Sequence, residues 1–258
     1  MKVAWKADMQ RETHWEYAAK TRMGRYLTQV EVNFILETVN LKRLKLLLDV
    51  GAEAGRFSVF ASGKKVDVIG IDIDLYGLKR LKLKDRKVNV IQADAQSIPL
   101  KDETVDSVFM IEVLDYIPEL YSTLAESRRI LRQEGSLVLS FGNNSSPKGK
   151  LKKLGGKSYA HSYQDVIGAL RKSGFRITKK TGYNWLPFGR TSENFLVPLM
   201  ARAERFLGLR RVTRYSPWVI VHSVKLNQRR PTFHHKTDEQ TTYNTWIAVH
   251  RKNNKIPQ

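Results

Sequence analysis

The stretch Leu46-Leu-Leu-Asp-Val-Gly-Ala-Glu-Ala-Gly-Arg56 decides the fold. Four apolar residues around Asp49, followed by a turn carrying Gly51 and Gly55, read as a buried strand that stops at a glycine loop. The chain then enters a helix opening near Gly55. Glycines at such a turn let backbone approach a ligand closely, and the unpaired N–H groups of the first helical turn attract its polar groups. This is a nucleotide-cofactor turn. The dinucleotide pattern G-x-G-x-x-G, laid from Gly51, requires glycine at 53 and 56, where the chain has Glu53 and Arg56.

Outward from this turn, strand and helix signals alternate. Strands are expected at 66–72, 88–93, 105–111 and 135–140, with a basic helix over 75–84 and another ending near 131. Such alternation predicts right-handed βαβ units and a mostly parallel sheet covered on both faces. Upstream, 1–24 reads as a loose or partly helical leader and 25–39 as a helix. Gly135 is expected to be the left-handed residue that ends the helix before the fifth strand. Residues 143–156, rich in Gly, Ser and Lys, read as a linker or flexible loop. Beyond it the pattern predicts a helix over 163–172, a strand over 175–179, an amphipathic helix over 193–207 and a strand over 218–224. A run at 243–249 competes for the last strand position. The fold class expected is α/β, a Rossmann-like seven-stranded sheet with a basic C-terminal cap or insertion. Three regions follow: a helical leader or lid (1–44), a cofactor-binding core (45–142) and a C-terminal half (143–258).

Five ordered motifs over roughly 45–142 resemble the class I S-adenosylmethionine-dependent methyltransferases, of the kind that includes quinone-biosynthesis and other small-molecule enzymes. Their G-x-G-x-G is met at Gly51 and Gly55, with Glu53 in place of the middle glycine. Asp72 ends the second strand, and Ala93-Asp94-Ala95 follows the third. The runs from Ile98 to Val108, Val113-Leu-Asp-Tyr-Ile-Pro118 and Ser127 to Ser136 are similar to the family's later motifs. The resemblance implies S-adenosyl-L-methionine as cofactor, held by Asp49, Gly51, Ala52, Glu53, Gly55, Asp72, Ile73, Asp94, Ala95 and Glu112. It places Asp72 on the ribose hydroxyls, where a carboxylate offers two oxygens to two vicinal donors, and Asp94 beside the adenine. Asp49 is either a ligand or an internal anchor of the turn, and Glu53 either a turn residue or a partner of the methionyl portion. Asp74 reads as the cap of the next helix. Tyr116 stands where the family often has histidine, so the candidates for moving an acceptor proton are Asp115, Tyr116 and His161. His222 reads as structural, and His234-His235 is too isolated for a metal site.

The absence of cysteine excludes disulfides, thiolate-ligated zinc and cysteine nucleophiles. No signal-type or membrane-spanning run is seen, and a cytoplasmic location is expected. The net charge is +20, and residues 141–258 carry 23 Lys/Arg against five Asp/Glu. So one-sided a field implies an anionic partner, an anionic membrane surface or RNA. No Pro-Pro-aromatic run follows the fourth strand, which argues against N-methylation of bases or glutamine. The first reading is a methyltransferase acting on a small molecule, lipid precursor or saccharide. A second is an RNA methyltransferase whose basic half tracks phosphates while Tyr159, Tyr163, Tyr183, Trp185 and Phe188 stack bases. A third is a non-catalytic binding module on the same fold.

Overall fold

Along β1 (Leu46–Val50), Leu47 and Leu48 point to opposite faces, and each enters a separate apolar layer. The computed structural model describes residues 11–227, apart from 118 and 155–159. The strand expected at 243–249, the histidines at 234–235 and Tyr159 lie outside the described residues. Seven strands form one sheet in the order β3-β2-β1-β4-β5-β7-β6. The others are β2 (Asp67–Asp72), β3 (Asn89–Gln92), β4 (Val105–Met110), β5 (Leu131–Gly142), β6 (Phe175–Tyr183) and β7 (Trp218–Lys225). All are parallel except β7, which runs antiparallel between β5 and β6.

Two helices precede β1. In α1 (His14–Lys20) a capping box joins Thr13 and Glu16, and α2 (Arg22–Thr38) is capped by the Thr21 hydroxyl. Met23, Leu27 and Phe34 of α2 share an apolar layer with α3 (Arg56–Ser62) and α4 (Leu75–Lys84). The opposite layer joins α5 (Leu120–Ile130) and α7 (Tyr163–Lys172), with Leu124, Ile130, Val166 and Leu170 packed on the sheet. Because the chain leaves β3 at one edge and returns beside β1 as β4, the β1 and β4 C-terminal ends border a topological switch point. Open α/β sheets bind ligands in such a crevice.

Three local expectations are revised. The expected linker at 143–156 contains α6 (Pro147–Leu154). Asn143 ahead of it is fully buried, its amide donating to the carbonyls of Arg214 and Ser216. The glycine and serine there serve close packing: a Cβ on Gly149 would stand 2.3 Å from the Asn143 carbonyl oxygen. At the start of β5 the left-handed residue is Glu134 (φ 60°), and Gly135 is needed because a Cβ there would come within 2.8 Å of the Arg132 carbonyl oxygen. The helix expected over 193–207 is shorter, α8 (Val197–Phe206), and the residues it buries are Val197 and Glu204 while Phe206 is exposed.

Of the described glycines, Gly24 at the α1–α2 corner leaves the least room for a side chain. A Cβ on Gly24 would lie 1.8 Å from the Ala18 carbonyl oxygen. Gly24→Ala therefore forces α1 away from α2. We expect a lower melting temperature and faster proteolysis at Lys20, with the sheet's far-ultraviolet signal retained; unchanged cleavage at Lys20 would contradict this docking.

Candidate active site

β1 delivers Asp49 to the switch point, buried, its carboxylate accepting the Ser58 hydroxyl at 2.6 Å. Burial pushes this carboxyl up to about 6, against the opposing hydrogen bond from Ser58 and the charge of Arg56. The turn follows: Gly51 has φ +68°, and the Ala52 N–H donates to the Ile71 carbonyl at 2.9 Å. Glu53 adopts φ +43°, a left-handed geometry that glycine enters without strain, and its carboxylate accepts the Ala54 N–H at 2.7 Å. Gly55 has φ +88°, and a Cβ on it would stand 2.2 Å from Leu81 Cδ1. It shapes the turn and admits α4, while the cavity is lined by its neighbours.

β2 ends at Asp72, whose two oxygens are aimed by backbone: one accepts the Glu53 N–H and the other the Asp74 N–H, each at 2.9 Å. Asp74 caps α4 by accepting from Tyr76 and Gly77. Ile73 is 72% exposed on the cavity wall. After β3 come Asp94, which accepts the Gln96 N–H at 2.8 Å, and the buried Ala95. After β4, Glu112 takes φ +63° and is buried. These groups, except Gly55, line one cavity of about 1180 Å3 together with Trp15, Tyr116 and Ile117.

The donor set fits S-adenosylmethionine. A carboxylate with both oxygens oriented suits a ribose diol, and an exposed isoleucine beside it offers an apolar face to a purine. The cavity exceeds the usual range of about 300–1,000 Å3 for one small ligand, leaving room for an acceptor. The family described as "Methyltransferase domain" matches residues 48–139, which span β1 to β5. Residues 48–139 thus resemble a methyltransferase domain, on the strands that carry the cavity.

The same segment has curated relatives. A protein of Methanocaldococcus jannaschii described as uncharacterized is 38% identical over 116 residues, covering 45% of this chain and 49% of that one. The malonyl-[acyl-carrier protein] O-methyltransferase of Hamiltonella defensa is 29% identical over 113 residues, covering 43% and 44%. The chain thus spans about half the length of the curated relatives it matches. Among solved structures, magnesium protoporphyrin IX methyltransferase of Synechocystis PCC 6803 with bound SAH aligns at TM-score 0.58 and 19% identity, covering 79% and 85%. That likeness is one of fold.

Of the three proton-handling candidates, Tyr116 alone lines the cavity, with an exposed ring. Burial and the neighbouring charge of Asp115 raise its hydroxyl above the ordinary range, so it stays protonated at neutral pH. Asp115 and His161 lie behind the wall. The His161 Nε2 is 2.9 Å from the Ile117 carbonyl oxygen, and burial raises the Asp115 carboxyl, one of whose oxygens is buried without a hydrogen bond. Two of the aromatic residues considered for base stacking are turned inward. Tyr183 is fully buried and donates to Glu31 at 2.7 Å, and the Trp185 indole nitrogen is buried.

Several wall residues escaped sequence reasoning. Arg56 pairs with Glu112 at 2.8 Å and with fully buried Glu31 at 3.0 Å. Glu112 also pairs with Arg190, whose guanidinium lies 4.5 Å from the Trp15 ring centre and 5.5 Å from that of Trp218. Burial and repulsion from Arg56 lower the Arg190 pKa, against the charge of Glu31. On the other side of Trp15, Glu16 of α1 pairs with Arg80 and, at 2.6 Å, with Lys84 of α4. Burial raises Glu16, yet these two cations prevail and hold it at about 2. The Thr13-x-x-Glu16 pattern was the available signal for α1; nothing local signalled its partners.

Asp49 has a sign that can be checked. A carboxyl raised to about 6 from about 4 keeps its proton longer in the folded state, so its stabilising effect is full below pH 4 and lost as pH rises through 6. Two pKa units correspond to about 3 kcal/mol. In denaturant titrations of the cofactor-free protein, Asp49→Asn should be more stable relative to wild type at pH 7 than at pH 4.5. A difference independent of pH would show Asp49 to be ionised throughout.

Proposed function

We propose that this chain is an S-adenosylmethionine-dependent methyltransferase that acts on a small-molecule or lipid-type acceptor. The observation that carries the reading is the Asp72 carboxylate, oriented by two backbone N–H groups on the wall of a cavity at the β1/β4 switch point. The cofactor supplies an activated methyl group: the acceptor's lone pair forms the new bond to carbon as the carbon–sulfur bond breaks and its electrons pass to sulfur. The protein's task is alignment and exclusion of water. Asp72 would hold the ribose, Ile73, Asp94 and Ala95 the adenine, and the turn from Gly51 to Glu53, with Asp49 beneath it, the methionyl portion. Glu112 belongs to the wall beyond, where its pairing with Arg56 and Arg190 fixes the floor of the acceptor space.

Tyr116, protonated and at the cavity edge, serves as a hydrogen-bond donor that orients the acceptor. Asp115 and His161 pack behind the wall, and where the acceptor carries a proton it is released to water at the cavity mouth. A small or lipid-type acceptor is favoured over RNA because Tyr183, fully buried, and Trp185, its indole nitrogen buried, are not displayed for stacking bases. The Hamiltonella relative is named for malonyl-[acyl-carrier protein], an acyl group held on a carrier, and not for RNA.

Calorimetry and a labelling assay test this. Asp72→Ala removes charge-assisted hydrogen bonds worth about 1.5–3 kcal/mol, so binding of S-adenosylmethionine should weaken about 10- to 100-fold without loss of fold. Label from the methyl donor should enter the solvent-soluble lipid or small-molecule fraction of extract with wild type and not with the variant. Label in RNA would replace the acceptor reading; failure of wild type to bind the cofactor would overturn the activity. Tyr116→Phe should lower kcat about 10-fold or more while cofactor affinity stays within about twofold; an unchanged kcat would remove Tyr116 from the reaction.

A further inference from the structure

Helix α8 is built inside out. It buries Glu204, whose carboxylate accepts the Tyr26 hydroxyl at 2.6 Å and the Trp185 N–H at 3.1 Å and pairs with Arg210 at 3.0 Å. Meanwhile Phe195, Leu199 and Phe206 are 74%, 63% and 91% exposed. Their spacing, with Arg202 between Leu199 and Phe206, makes one continuous stripe along the helix and the turn before it. Leu207 continues it, followed by Val212, between the two short helical turns at Leu209–Arg211 and Thr213–Tyr215, and by Tyr215 at the end of the second. A scattered exposed leucine needs no explanation. A helix that turns its phenylalanines outward and an acid inward presents a surface for a partner.

Charge identifies the partner. Between residues 194 and 217 five arginines stand against a single acid, Glu204, and that acid is buried. Arg202, Arg205, Arg211 and Arg214 are exposed among the apolar side chains. A second copy of this chain would set arginine against arginine across a self-paired interface. RNA has no use for exposed leucines, which cannot stack on bases. An anionic bilayer satisfies both features: aliphatic and aromatic side chains enter the headgroup–acyl boundary while arginines meet lipid phosphates. Among the described residues no helix is long and apolar enough to cross a membrane, so attachment through α8 would be interfacial.

The surface adjoins the active site. Residues 190–193 connect Arg190, paired with Glu112 on the cavity wall, to the stripe that begins at Phe195. They are also fastened to the α1–α2 corner, where the Thr21 hydroxyl donates to the Arg190 carbonyl and the Met23 N–H to that of Ser192. We propose that the α8 face docks on an anionic lipid bilayer and presents the cavity to it. The proposal goes beyond the methyl-transfer reading and does not depend on it, because vesicle binding is read without catalysis.

The full chain is sedimented with vesicles of phosphatidylcholine alone and with 30% phosphatidylglycerol (about one lipid in three). Binding is expected to the anionic vesicles and to fall at least about tenfold in Phe195→Ser/Phe206→Ser, and similarly in Arg202→Gln/Arg205→Gln, with melting temperatures unchanged. Both pairs are exposed, so loss of fold is not expected to confuse the result. The proposal is overturned if the serine variant binds as wild type, since attachment would then be charge alone. It is equally overturned if wild type ignores anionic vesicles, if RNA displaces it from them, or if these substitutions instead dissociate a dimer. Cofactor affinity, measured alongside, separates failure of docking from failure of the methyltransferase reading.

Discussion

Two buried glutamates and two half-buried arginines, at and behind the cavity wall, tie segments far apart in the chain into one cluster. Glu31 comes from the helix before the sheet, Arg56 from the helix after the glycine turn, Glu112 from the end of β4 and Arg190 from the loop after β6. Their charges cancel, which is the condition for burying them, since an ion in a low-dielectric interior costs several kcal/mol unless paired. The set tolerates no missing member. Without Arg56, Glu31 and Glu112 would face each other across the vacancy; without Glu112, the two guanidiniums would. Glu112 also holds a left-handed backbone angle that its two arginine partners over-determine. Tyr183 of edge strand β6 and Trp218 of its neighbour β7 complete the enclosure, the first donating to Glu31 and the second facing Arg190.

This network gives the N-terminal helices their purpose. Trp15 meets Arg190 on one side, and Glu16 is gripped by Arg80 and Lys84 on the other. Helix α1 therefore spans from Arg190 to α4, the helix whose cap adjoins Asp72. The position of α1 and the cavity wall are linked by ordinary ion pairing.

Much of the core was legible in the sequence because it is written locally. A strand, a glycine turn and a helix occupy consecutive residues, and Asp72, Asp74 and Asp94 follow their strands by one rule of topology. The places where reading failed depend on distant partners. Periodicity gives α8 an apolar stripe, but whether the stripe faces the core is decided by Tyr26, Trp185 and Arg210. Composition marks 143–156 as loose, yet Asn143 is locked by carbonyls some seventy residues away. Glycine was expected to take the left-handed angle at the start of β5; Glu134 takes it, because the adjoining glycine is required for space. Asp115, Tyr116 and His161 looked equivalent in one dimension, and only the packing of Ile117 separates the one on the wall from the two behind it.

The placement of β7 has a consequence for how the protein is made. β7 lies between β5 and β6, antiparallel to both, so until residues 218–225 have been synthesised β5 has an open edge and β6 no neighbour in the sheet. Strands β1 to β5 form a nascent platform whose outer edge stays unpaired while some eighty further residues leave the ribosome. Unpaired edges invite wrong partners, and non-local pairing is slow. The cationic character of those intervening residues keeps the waiting chains apart by mutual repulsion. The same charge that marks the finished surface thus protects the unfinished one.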